Sequence, residues 1–163
     1  MRLSHLIAVA IVSVMLVFVL AVAAAIIWQR DPTPPPTLAD LAAAEMRWQR
    51  QGPASYDLDL ETTRNDQMHL EVRAGKPTAF TVNGHQPKER RVWETWTVPR
   101  QFEYIRDDMA REVPPGGAAP LIQVQFDTKT GLPWKYICSG ANGVTTGWKI
   151  HRFDSVTAGG TLR

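Results

Sequence analysis

Cysteine is almost missing from this chain: of 163 residues, only Cys138 carries a thiol. No intramolecular disulfide is available, and no zinc site built on cysteines can be assembled. A lipoprotein anchor is excluded as well, because no cysteine follows the apolar run near the N-terminus. An excess of one charge is missing too. Eighteen Lys and Arg stand against 16 Asp and Glu for a net charge of +2, and neither sign forms a block. Nucleic-acid binders usually show a basic face, so nucleic acid is not an expected partner. His69, His85 and His151 stand apart, with none of the HxxxH or HxH spacings of a metal site. The glycines make no phosphate-cradling pattern. Cys138-Ser139-Gly140 lies at a strand end, without the helix N-terminus or neighbouring base that activates a thiol. The absences together predict no catalytic residue, no metal and no cofactor, and hence a chain that is not an enzyme.

What the chain does have is one long apolar run. Leu6 to Trp28 is 23 residues without a charge, and fourteen of them are Leu, Ile, Val or Phe. As a helix this segment would be about 35 Å long, enough to cross a hydrocarbon core of about 30 Å. Its branched and aromatic residues favour insertion by about 4–8 kcal/mol before end effects. A cleaved signal peptide is the competing reading, with Ala21-Val22-Ala23 or Ala23-Ala24-Ala25 as the cleavage site. The run exceeds the usual h-region and continues through Ile26, Ile27 and Trp28, which predicts an uncleaved signal-anchor over residues 6–28. Residues 1–5 then form a short cytoplasmic tail and the rest of the chain lies outside the cytoplasm, although Arg30, Arg47 and Arg50 blur the charge bias. If the segment is cleaved, the protein is secreted.

Residues 29–37 follow, with four prolines between Asp31 and Thr37. Proline fixes φ and removes a donor, so the stretch reads as a stiff polyproline spacer. The remainder, residues 38–163, is the size of one domain. A first helix is predicted from Leu38 to Gln51, capped by Thr37 with Asp40 three residues on and stopped by Gly52-Pro53. Alternation predicts strands at Ser55 to Thr63 and Gln67 to Arg73, and a third from Thr78 to Val82 after Gly75. After Thr97, Val98, Phe102, Ile105 and Met109 recur on one stripe of a second helix. Two or three more strands are predicted to end the chain, at Leu121 to Asp127, Pro133 to Ser139 and Thr146 to Phe153. Runs of strands broken by two helices imply an α+β domain, an antiparallel sheet with both helices on one face. A weak internal duplication is also visible, with Gly75–Phe80 matching Gly131–Tyr136 at an offset of 56.

Two stretches are candidates for function. Asp57, Asp59 and Glu61 line one face of a strand and read as a solvated face rather than a cation site, since a strand cannot curl round an ion. The connection from Gly84 to Trp96 is rich in charge and long for a link inside a compact domain. Trp and Arg dominate binding energy at interfaces, so Arg90, Arg91, Trp93 and Trp96 are the candidate partner-binding residues. The alternative is that both tryptophans brace the second helix.

The order Trp48…Tyr56, Gly75, Thr97-Val98…Phe102…Ile105, then Val124-Gln125-Phe126-Asp127…Gly131-Leu132-Pro133 resembles a bacterial family of small exported proteins of unknown function. The resemblance spans roughly residues 48–153 and implies an exported or membrane-attached protein. The resemblance implies a cysteine pair in the first strand of many members, where this chain has Glu61-Thr62-Thr63. In architecture the chain is also similar to small inhibitor and propeptide-like modules. The expected function is a membrane-tethered, extracytoplasmic binding or inhibitor-like module, with the lipid bilayer and a protein as partners and the oligomeric state open. The alternative is a structural or assembly factor of an envelope complex. Fractionation tests the tether: the protein should stay in membranes after a high-salt wash. Recovery of a soluble form beginning near Ala24 would contradict it.

Overall fold

The computed structural model describes residues 35–112, 116–140 and 143–156. The predicted anchor, residues 6–28, and most of the proline-rich spacer lie outside them. Among the described residues, no helix is long and apolar enough to cross a membrane.

Helix α1, Leu38–Gln51, has the predicted bounds. Thr37 and Asp40 form a reciprocal capping box: the Thr37 hydroxyl accepts from the Asp40 N–H, and the Asp40 carboxylate accepts from the Thr37 N–H at 2.9 Å. The Thr37 hydroxyl also donates to that carboxylate at 2.6 Å, and this bond first, then the one from the N–H, holds the Asp40 carboxyl below its ordinary range. At the other end Gly52 does not adopt the left-handed conformation usual for a glycine stop, since its φ is −66°. It is needed for space. A Cβ there would lie 2.5 Å from the Trp48 carbonyl oxygen and 2.6 Å from the Trp48 ring.

Six strands follow in two runs: β1 Tyr56–Thr62, β2 Gln67–Arg73 and β3 Lys76–Val82, then β4 Leu121–Phe126, β5 Pro133–Ser139 and β6 Thr145–Ser155. They form one antiparallel sheet in the order β3-β2-β1-β6-β5-β4. Each run is a meander, and β1 joins the two by pairing with β6. Between β2 and β3 the link is two residues, Ala74 and Gly75, both at positive φ, as a tight hairpin turn requires. The third strand therefore begins two residues before its predicted start at Thr78.

Alternation decides which face is covered. Tyr56, Leu58, Leu60, Leu70, Val72, Phe80, Val124, Tyr136, Trp148 and Ile150 form a contiguous buried layer with residues from the helices. Helix α3, Val98–Ala110, lays Val98, Phe102 and Ile105 into that layer, with Met109 partly covered at its end. Its first N–H, that of Val98, donates to the Tyr56 hydroxyl at 3.1 Å, which ties the start of α3 to β1. Burial pushes the Tyr56 hydroxyl up to about 12. At the far end the buried Tyr136 hydroxyl donates to Asp108, which also takes the Arg111 guanidinium at 2.6 Å. Burial first, then the bond to Asp108, raises Tyr136 well above the ordinary tyrosine range.

The α+β class and the antiparallel sheet are as expected. Two details of the expectation are corrected. The described residues hold three helices rather than two, because the connection after β3 contains α2, Arg90–Thr95. It forms around one side chain: Trp93 is buried and its ring N–H donates to the Pro87 carbonyl at 3.2 Å. The offset of 56 is also not the one the architecture supports, since it sets β3 against β5. The element order, a helix before each meander, sets β1, β2 and β3 against β4, β5 and β6. Their first residues lie 65, 66 and 69 positions apart.

Phe102 is fully buried and stacks on Phe126 with centroids 6.2 Å apart. Phe102→Ala should therefore destabilise the chain by about 3–5 kcal/mol in denaturant unfolding. A loss under about 0.5 kcal/mol would mean that α3 presents a different face.

Candidate functional site

The structure separates the four candidate residues rather than grouping them. Arg91 is exposed. Arg90 is exposed too and holds its guanidinium 5.3 Å from the centroid of the Trp93 ring, a contact of about 0.5–1 kcal/mol at such a site. Trp93 itself is buried at 4% and braces α2. Trp96, half-buried just beyond α2, lines a recess.

That recess is a cavity of about 420 Å³ built from four separate segments. Trp96 and Thr95 come from the end of α2, and Gln101 and Tyr104 from the first turns of α3. Thr62, Thr63, Arg64 and Asp66 supply the β1–β2 turn with Met68 beside them, and Thr146, Gly147 and Trp148 the start of β6. The rings are mutually braced: Trp148 meets Trp96 edge-on at 6.2 Å, Tyr104 at 5.8 Å and Tyr136 at 4.6 Å. Tyr104 is nonetheless 47% exposed, so aromatic surface is left open at the cavity.

The rim is held by its own hydrogen bonds. Thr62 Oγ1 accepts from the N–H groups of Arg64 and Asp66, and the Asn83 amide donates to Asp66 at 2.9 Å. Thr63 N–H donates to the Gly147 carbonyl, which locks the turn onto β6. Gly147 is required there, because a Cβ would lie 2.1 Å from the Tyr136 carbonyl oxygen.

Gln101 is the polar exception in this wall. It is 1% exposed, and its amide nitrogen donates to the Trp96 carbonyl at 3.0 Å. Since only the NH2 end can donate to a carbonyl, that bond fixes which way the amide points. The other end, Oε1, is buried and has no hydrogen-bond partner among the described residues. Leaving a buried acceptor unmatched costs about 1–3 kcal/mol. Sequence reasoning missed Gln101 and Tyr104, yet one signal was present. Gln101 sits three residues after Val98 and four before Ile105, a polar residue inside an apolar stripe.

A second recess of about 510 Å³ lies by Phe126, Trp134 and Phe153 and the 127–130 turn. Its carboxylate is already satisfied: Asp127 accepts from the backbone and hydroxyl of Thr130 and from the Lys129 N–H, which holds its carboxyl below the usual range.

On the opposite face of the sheet the acidic row is half-buried and paired across strands rather than simply solvated. Arg73 bonds Asp57 at 2.6 Å, His69 bonds Asp59 at 2.5 Å, and His151 bonds Glu61 at 2.9 Å. The histidines, isolated in the sequence, meet carboxylates through strand register; Asp59 lies opposite His69. No group of three or more His, Cys, Asp or Glu suited to a metal ion occurs among the described residues. Burial works to lower the His69 pKa, but the hydrogen bonds and charges of Asp59 and Glu71 outweigh it and hold the group above its ordinary 6.5.

The chain belongs to the family of unknown function DUF6174, whose model matches residues 40–137. The match begins in α1 and ends within β5, so the cavity residues on β6 lie beyond it. No curated protein and no solved structure matches the chain.

Two predictions follow from these placements. Trp93→Ala should lower stability by about 3–5 kcal/mol in denaturant unfolding, whereas Arg91→Ala should change it by under about 0.5 kcal/mol. Equal effects would undo the structural role of Trp93. Because the folded pKa of His69 is raised, its contribution is complete below 6.5 and fades as pH rises through the folded value. The stability gap between wild type and His69→Gln should therefore be larger at about pH 5.5 than at about pH 8.5. A gap that grows with pH would contradict the pairing.

Proposed function

We propose that this chain is a membrane-tethered, extracytoplasmic binding module without enzymatic activity, and that the Trp96–Tyr104 cavity is where it binds. The observation that carries this reading is the aromatic surface, Tyr104 above all, left open at a recess built on α3 and β6. A volume of about 420 Å³ lies within the range of small-molecule sites, and such sites are mostly apolar with a few placed polar groups. The concave shape favours a binder over an inhibitor that projects a loop into its target. The tether rests on the apolar run Leu6 to Trp28 and the proline-rich stretch after it. An exported bacterial setting, implied by the family resemblance, fits the same picture.

A structural or assembly role is the second reading. It is favoured by β4, which ends the sheet order and leaves Leu121 56% exposed.

Ligand-observed NMR on the full chain in nanodiscs, with neutral one- and two-ring compounds, separates the two. Tyr104→Ala should weaken the binding compounds by about fivefold or more. It should lower Tm by no more than about 8 °C, the scale of one lost ring contact. Absence of binding, or binding untouched by Tyr104→Ala, would favour the assembly reading.

A further inference from the structure

The two edges of the sheet differ in what they offer a partner. An edge strand presents unpaired backbone N–H and C=O groups, and natural sheets blunt that offer with charge, proline or cover. β3 has all three. Lys76 and Pro77 stand at its start, and at its end Val82 and His85 exchange backbone hydrogen bonds at 2.8 and 2.9 Å. β4 has none of them. It reads LIQVQF, without a charge or a proline, and Leu121 is exposed. Among the described residues, no backbone hydrogen bond reaches β4 from outside β5.

We infer that β4 pairs antiparallel with β4 of a second copy of this chain, joining two sheets edge to edge about a two-fold axis at Gln123. Three observations favour a second copy. The first is register. The pairing of β4 with β5 slips between Gln125 and Phe126, so its regular stretch is Leu121 to Gln125, with Gln123 at the midpoint. Turned onto itself there, Ile122 meets Val124 and Leu121 meets Gln125. Side chains alternate between faces along a strand, so each of these pairs shares one face, as opposite residues in a ladder must. Ile122 and Val124 are both buried, and their pairing carries the apolar layer across the join.

The second is the residue on the axis, which meets itself. A glutamine amide both donates and accepts, so two of them can satisfy each other. The third is charge. A two-fold interface sets the same patch against itself, so a charged residue at its centre would meet its own sign. β4 carries no charge to oppose. A ladder of five residue pairs is small beside a standard interface of about 1,600 Å², so the dimer is weak and forms where copies are concentrated, as in one vesicle. None of the cavity's lining residues is on β4, so the pairing goes beyond the cavity reading and does not need it.

Disulfide trapping on the full chain in phosphatidylcholine vesicles, under mild oxidation, tests the inference. The wild type is the blank, since its one thiol, Cys138, is buried. Gln123→Cys sets two thiols opposite each other, with Cβ atoms about 4.5–5.5 Å apart. Leu121 is the more exposed position, yet across this axis it lies about 13 Å along the strand from its own copy. Thr78→Cys probes an exposed position on β3. Gln123→Cys should give about fivefold more dimer than Leu121→Cys or Thr78→Cys, because a disulfide needs close Cβ atoms. Should Gln123→Cys not fold, mixed copies of Leu121→Cys and Gln125→Cys decide in its place, and their heterodimer should exceed either homodimer. Trapping of Leu121→Cys at or above the level of Gln123→Cys overturns the axis at Gln123. Equal trapping of Thr78→Cys reduces the dimer to chance collision and overturns the pairing, as does the absence of dimer from all three. In cell membranes, a Gln123→Cys adduct with a different polypeptide in place of the dimer overturns the second copy as occupant.

Discussion

The pairing of β1 with β6 is the contact on which the rest of the domain depends. It joins the first strand to the last, setting Tyr56 against Ser155 and Thr62 against Trp148, and makes one sheet of two meanders. Without it, each meander would be a separate three-stranded sheet, and three strands by themselves bury little. The seam also places the cavity. Thr62 and Thr63 end one strand, Gly147 and Trp148 begin the other, and the bond from Thr63 to Gly147 closes the corner. The glycine is part of the seam: any side chain there would enter the Tyr136 backbone.

The helices then fix the cavity's other walls by polar contacts at each end of α3. Val98 is held to Tyr56, and Asp108 to Tyr136, so α3 cannot slide along the sheet without breaking a buried bond. Arg106 adds a partly exposed bond to Glu45 on α1. Held in this way, Gln101 has little freedom to turn its amide to another partner. The wall that α3 supplies is thus rigid, and preorganisation lowers the ordering cost of binding.

Much of the fold was legible in the sequence because its signals are local. Thr37 and Asp40 mark the start of α1 within one turn, and strict alternation around Tyr56, Leu58 and Leu60 marks β1 and its covered face. Gly52 stops α1 through its lack of a side chain rather than through its φ, since Trp48 leaves no room for a Cβ. Helix α2 was not legible, because six residues around one buried tryptophan carry no periodicity. The composition of that connection points toward binding, but tertiary packing spends Trp93 on the core and sets Trp96 at a recess. The cavity draws on four segments, and only its polar residue on an apolar stripe left a trace in one of them. The pairs of His69 and His151 with carboxylates were hidden for a similar reason, since strand register sets the first and the second lies where the β1–β6 register shifts, and the sequence shows neither.

The central claim is that the cavity beside the β1–β6 seam, and not the recess by Trp134, is where a ring is received. Nitrogen-edited NMR on the full chain, with tryptophan and glutamine side chains labelled, tests this most directly as indole is added. The account predicts that the indole N–H signals of Trp96 and Trp148 and the Gln101 carboxamide shift together, while Trp134 stays in place. Movement of Trp134 with Trp96, Trp148 and Gln101 unchanged would contradict it.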